Sequence, residues 1–213
     1  MALVYLRELN AQTKFAIWKI DETAEQLLAN LQLNAAEVDK LERLRKGKRT
    51  LHWLATRVLL RYLLRTDRYI ACPSDENGKP FLPDFSFEIS LTHSYDYAGV
   101  LISSQGPCGI DLEIIKDKIL RIKEKFLSKQ ELSFIGESAV EQLYACWCAK
   151  EAVYKLQGNK GVSFLNDMRI LPFVYKPQGV ITLELTKDGV VTSFQVYYEK
   201  FQDYMLGYVV GNP

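Results

Sequence analysis

An α+β fold is predicted by three observations: short strand-like runs occur in neighbouring pairs, stretches of helical periodicity separate those pairs, and the same mixture recurs on both sides of Gln105-Gly106-Pro107. In chain order, VYLRELN and KFAIWKI form the expected first hairpin, and residues 22–31 carry a helical pattern. Asn34 with Glu37 three positions on has the spacing of a capped helix start, which Gly47 interrupts. LHWLATRVLLRYLL is an amphipathic helix with Arg57, Arg61 and Arg65 on one stripe. ENGKPFLP is turn chemistry, and FEISLTHS and YAGVLIS are two paired strands. After the breakpoint come a strand in GPCGIDLEII, a helical stretch from Ile119, a helix capped at Ser128, and a long helix through WCAKEAVYK. Strand-like runs close the chain at 168–175, 180–185, 192–201 and 204–210. Residues 1–105 and 106–213 are therefore expected to be two α+β subdomains.

The charge balance narrows the function. With 27 basic against 26 acidic residues, the net charge of +1 creates no global field for a polyanion, so nucleic acid is not an expected partner. MALVYLRELN reaches Arg7 and Glu8 before a signal-like run develops, and no stretch has membrane-spanning length, so a cytoplasmic protein without a membrane partner is expected. Cys72, Cys108, Cys146 and Cys148 fit no CxxC pair and read as reduced core residues. The only histidines, His52 and His93, exclude a histidine-rich zinc site, so any metal would be held mainly by oxygen.

Several constellations could carry chemistry. In GIDLE, strand alternation sends Ile110 and Leu112 one way and Asp111 and Glu113 the other. Two carboxylates on one face repel unless a cation or proton lies between them, and oxygen donors with room for water suit Mg²⁺; an acidic, solvent-facing strand edge is the structural alternative. Ser128 and Glu131 have capping-box spacing, which assigns the glutamate to the helix backbone, although a ligand role is not thereby excluded. The run KLERLRKGKR holds six basic side chains and one acid, either a solvated helix face or a phosphate clamp led by Arg49. Lys79 in a Gly-Lys-Pro turn, and His93 between the hydroxyls of Thr92 and Ser94, offer donors to a phosphate in the same way. In WCAKEAVYK, Glu151 and Lys155 share a helix face with few solvated neighbours, where an ion pair, a hydrogen bond or a function must account for their charges.

GIDLE followed by WCAKEAVYK resembles the signature pair of the 4′-phosphopantetheinyl transferases, G-[IV]-D-x-E and [WF]-[SC]-x-K-E-[SA]-x-x-K. The length, the GKP turn and the THS segment resemble the larger Sfp-type branch, and the likeness runs in order over about 40–161. It implies a pseudo-twofold pair of similar α+β halves, expected to be monomeric, with coenzyme A bound between them as substrate. It also implies transfer of the phosphopantetheine arm to a serine of an apo acyl or peptidyl carrier protein, in fatty acid, polyketide or nonribosomal peptide synthesis, with release of 3′,5′-ADP. By position, Asp111, Glu113 and Glu131 would hold Mg²⁺, or Mn²⁺ in its place. Glu151 would be the general base and Lys155 would contact the phosphates and the leaving oxygen. Arg49, Lys79, Thr92 and His93 would hold the phosphates of coenzyme A, with Lys40 and Arg43 as further contacts. Thr92 stands where the family pattern has serine. Two rival readings are a catalytically silent module that binds coenzyme A or a carrier protein, and a nucleic-acid binder using residues 40–49.

Overall fold

The computed structural model describes residues 3–44, 47–136 and 139–211, so Arg45 and Lys46 of the basic run lie outside the described residues. The fold is α+β, built on two antiparallel sheets. In the first, β1 (Leu3–Asn10) and β2 (Thr13–Lys19) pair as a hairpin, and β3 (Glu88–Ser94) with β4 (Tyr97–Ser103) forms a second; the order is β1-β2-β4-β3. Between the hairpins lie α1 (Ala24–Leu28), α2 (Ala35–Arg43) and α3 (Lys48–Leu64). The second sheet contains β5 (Cys108–Ile114), β6 (Met168–Ile170), β7 (Gln178–Lys187), β8 (Val190–Phe201) and β9 (Tyr204–Val210) in the order β5-β9-β8-β7-β6. The one-turn α4 (Lys129–Leu132) and the long α5 (Val140–Gln157) lie between β5 and β6. Among the described residues no helix is long and apolar enough to cross a membrane.

Three expected elements are shorter or different. The helical pattern at 22–31 forms only the five residues of α1, which bury Leu27 alone and so have little packing to extend them. The stretch from Ile119 becomes two 3₁₀ turns, Asp117–Arg121 and Lys123–Lys125, since it need only lower Ile119 and Phe126 into the core while the chain changes direction. The strand expected over 168–175 ends after Ile170, because Pro172 cannot donate to a ladder. Asn34 and Ser128 do cap their helices, each in a full capping box with Glu37 and Glu131.

Alternation on the strands separates three apolar clusters. Ala16, Trp18, Ala98, Val100 and Ile102 pack with Leu54, Leu59 and Leu60 of α3. The opposite faces of the same strands carry Phe15, Ile17, Tyr97 and Leu101, which meet Ile110, Leu112, Leu206 and Tyr208 of the second sheet. On its far face that second sheet packs Met205 and Val209 against Leu143, Ala149, Ala152 and Val153 of α5. β2 is consequently apolar on both faces. All four cysteines are buried and unpaired.

Two glycines let α5 lie directly on this sheet. A Cβ at Gly109 would fall 1.8 Å from the Ala152 carbonyl oxygen, and one at Gly207 would fall 2.9 Å from Cβ of Cys148. Backbone touching backbone leaves nothing that could rotate away. Gly109→Ala is therefore expected to push α5 off β5 and to lower stability by about 1–3 kcal/mol or more, measurable as a fall in the urea midpoint; an unchanged midpoint would contradict this packing.

Candidate functional site

The close approach at Gly109 sets α5 beside the carboxylate face of β5. Lys155 extends its ammonium to Asp111, 2.7 Å from Oδ1, and donates to the Ile110 carbonyl oxygen at 2.9 Å. Burial opposes the charge on Lys155, but Asp111 outweighs it and raises the lysine pKa. Among the described residues no ion pair joins Lys155 to Glu151 on its own helix, so the i,i+4 pairing that the sequence allows is replaced by the one to β5.

Glu151 remains a carboxyl group in a poorly solvated place. Burial first, then the negative charges of Asp111 and Glu113, push its pKa up to about 7 against the pull of Lys155. Glu113 is raised in the same way, by burial and by Asp111, while Ser94 donates to its Oε2 at 3.1 Å. Asp111 Oδ2 is buried and has no hydrogen-bond partner among the described residues. Like charge on Asp111 and Glu113, with an unsatisfied buried oxygen on the first, leaves donor capacity of the kind an oxygen-bound cation uses.

Glu131 does not belong to that group. Its carboxylate is buried and fully engaged: Oε1 lies 2.7 Å from Lys150 Nζ and accepts the Ile170 amide at 2.9 Å, and Oε2 accepts the Ser128 amide at 2.7 Å. Its expected place beside Asp111 and Glu113 is thus corrected, and among the described residues no cluster of three or more such side chains is arranged as a metal site. The capping-box spacing was the stronger signal, because the same carboxylate also neutralises a buried lysine. Lys150 in turn reaches the carbonyls of Phe126, Phe164 and Met168 at 2.8, 2.7 and 3.0 Å, tying two connecting segments and the start of β6 to α5.

Next to Lys155 opens a cleft of about 490 Å³ between the two sheets' helices, lined by Lys40, Arg49, Lys79, His93 and Lys155 among others. The basic residues singled out from scattered motifs thereby face one space. Lys79 is held by its turn, in which Asp75 Oδ1 accepts the Asn77 and Lys79 amides, and its ammonium donates to the Leu156 carbonyl oxygen at 3.0 Å, near the C-terminus of α5. Burial in the cleft wall, then His52 and Lys155, lower the His93 pKa.

Two expected contacts lie elsewhere. Arg43 is exposed and donates back to the Asp39 carbonyl of its own helix at 3.1 Å, and it does not line the cleft. The Thr92 hydroxyl is buried between the sheets, accepting the Leu112 amide at 3.0 Å and donating to Asp111 at 3.3 Å. Side chains alternate along a strand, so a threonine next to a cleft-facing histidine turns away from the cleft.

Sequence reasoning missed His52, whose ring stacks on His93 with centroids 4.3 Å apart and whose Nε2 meets the Tyr95 carbonyl oxygen at 2.8 Å. The signal was present: Arg49, His52, Trp53 and Thr56 follow helical spacing, and all four line the cleft.

Residues 107–209 match the sequence pattern of the 4′-phosphopantetheinyl transferase superfamily. The chain is similar to a 4′-phosphopantetheinyl transferase of Bacillus subtilis, with 32% identity over 65% of this chain and 62% of that one. It is also similar to the 4′-phosphopantetheinyl transferase AcpT of Escherichia coli K12, at 32% over 53% and 60% of the two chains. The third comparison, the 4′-phosphopantetheinyl transferase Sfp of Bacillus subtilis strain 168, gives 34% over 44% and 43%. The chain thus spans less than two-thirds of the length of each of these relatives.

Proposed function

The chain belongs to the 4′-phosphopantetheinyl transferase superfamily, on its Sfp-type branch, and from that premise we propose that it moves the phosphopantetheine arm of coenzyme A to a serine of an apo acyl or peptidyl carrier protein. The observation that carries this reading is the Lys155–Asp111 pair at the end of a basic cleft, with a carboxyl group of pKa about 7 one helical turn away. Anionic substrate, proton acceptor and leaving-group stabiliser each have a counterpart there.

Lys40, Arg49, Lys79 and His93 would hold the phosphates of coenzyme A, with Lys155 nearest the reacting pyrophosphate. Glu151 takes the proton of the incoming serine, directly or through water, as the serine oxygen bonds to the phosphorus that carries the pantetheine arm. The bond from that phosphorus to the bridging oxygen breaks, and 3′,5′-ADP leaves with its new charge facing Lys155. Asp111 and Glu113 would hold Mg²⁺, or Mn²⁺, beside the pyrophosphate; the buried, partnerless Asp111 Oδ2 supports this assignment. When bound, the ion offsets phosphate charge and polarises the pyrophosphate oxygens.

The test is the intact mass of apo carrier proteins from fatty-acid, polyketide and peptide systems after incubation with the protein, coenzyme A and Mg²⁺. A gain of one phosphopantetheine arm, lost when EDTA is added, is expected. No gain on any carrier, with coenzyme A still bound, would replace this reading with that of a silent binding module.

A further inference from the structure

β3 and β5 are edge strands of different sheets, yet they are joined along their length by side-chain hydroxyls. The amides of Ile110, Leu112 and Ile114 donate to the hydroxyl oxygens of Ser90, Thr92 and Ser94 at 3.0, 3.0 and 3.1 Å. The constant offset means that the two strands run in the same direction, and the period of two on each strand keeps hydroxyl facing amide. A hydroxyl that accepts from an amide has its oxygen fixed and one proton left to give. Thr92 gives its proton to Asp111 Oδ1 at 3.3 Å, and Ser94 gives its proton to Glu113 Oε2 at 3.1 Å. Ser90 makes the same amide contact without a carboxylate.

We propose that Thr92 and Ser94 are positioning residues of the transferase site: latched to β5, they aim the Asp111 and Glu113 carboxylates from the opposite sheet. The inference rests on the transferase reading, and it gives the threonine of the THS segment a role other than contact with phosphate. Asp111 and Glu113 lie two residues apart on one face of β5 and carry like charge, so without these donors the carboxylates would turn apart. A register slip of one residue would present Leu91 and His93 to the amides in place of the hydroxyls.

The test compares Thr92→Val, Ser94→Ala and Ser90→Ala in the full chain, reading Mn²⁺ affinity by electron paramagnetic resonance, the melting temperature, and kcat and KM for carrier loading. All three variants lose an amide acceptor and should melt earlier. Only Thr92→Val and Ser94→Ala should weaken Mn²⁺ binding, by about 10-fold or more, and lower kcat more than they raise the KM for coenzyme A. Thr92→Ser, which keeps the hydroxyl, should restore both. If Thr92→Val does not fold, Ser94→Ala at the end of the strand decides alone. Unchanged Mn²⁺ affinity in these variants, or equal weakening in Ser90→Ala, with an active wild type, would overturn the positioning role and leave the transferase reading intact. A wild type that neither binds Mn²⁺ nor loads a carrier would overturn both.

Discussion

Replacing Glu151 with glutamine is expected to lower kcat for carrier loading by about 10²–10⁴-fold while making the protein more stable at pH 8. Both effects come from one carboxyl group whose pKa lies at about 7. As a base it must be deprotonated, so the acid limb of kcat/KM for the wild type should fall near pH 7 and disappear in the residual activity of the variant. The stability effect has the opposite sense. The folded pKa lies above the ordinary value of 4.5, so between those two values the native state keeps a proton that the unfolded chain has lost. Stability therefore falls as pH rises from 4.5 to about 7, and the loss is complete above that. Glutamine has no proton to lose, and after allowing for the partial exposure of the site it should regain about 2 kcal/mol at pH 8 and little at pH 4. Denaturant titrations at the two pH values check the second effect, and single-turnover mass spectrometry checks the first. Full activity in Glu151→Gln would remove Glu151 from the role of base.

Lys150→Met should be the most damaging single change to the fold, costing about 3–5 kcal/mol. The lysine is fully buried, and its ammonium touches Glu131 and the three carbonyls already described. Burial lowers its pKa while Glu131 pulls it back up, the signature of a charge kept inside by its partner. Methionine would fill similar volume but strand the Glu131 carboxylate and three carbonyl oxygens without a cation. A fall in melting temperature on the order of 10 °C follows for a chain of this size. Adding Glu131→Gln to Lys150→Met should recover part of the loss, because it removes the stranded charge, although the Ser128 and Ile170 amides keep a weaker acceptor. A fall below about 1 kcal/mol in the single variant would mean that water reaches the pair.

These two adjacent residues show how differently a motif can be spent. Glu151 holds a carboxyl group that titrates at about 7 beside Asp111 and Glu113, whereas Lys150 buries its charge against Glu131 and holds α5 in place. Nothing in the local pattern of WCAKEAVYK separates the roles, since both positions are charged within an apolar helix.

What the sequence determined by itself is what repeats over a few residues. The hairpins were legible as neighbouring strand-like runs rich in β-branched and aromatic residues, and period-two alternation split GIDLE into an apolar face at Ile110 and Leu112 and an acidic one at Asp111 and Glu113. The helix starts at Asn34 and Ser128 were legible because a capping box is satisfied within four residues. The paired motifs also carried the family. Only the tertiary structure decided where each charged or hydroxyl group finds its partner. Glu131 went to Lys150 and the Ile170 amide, Thr92 to Leu112 and Asp111, and Lys155 to Asp111 in place of the glutamate on its own helix. Side-chain direction repeats with the local backbone and can be read along the chain, but the strand or helix that a side chain meets depends on how the sheets and α5 pack, and that is set by contacts between residues far apart in sequence.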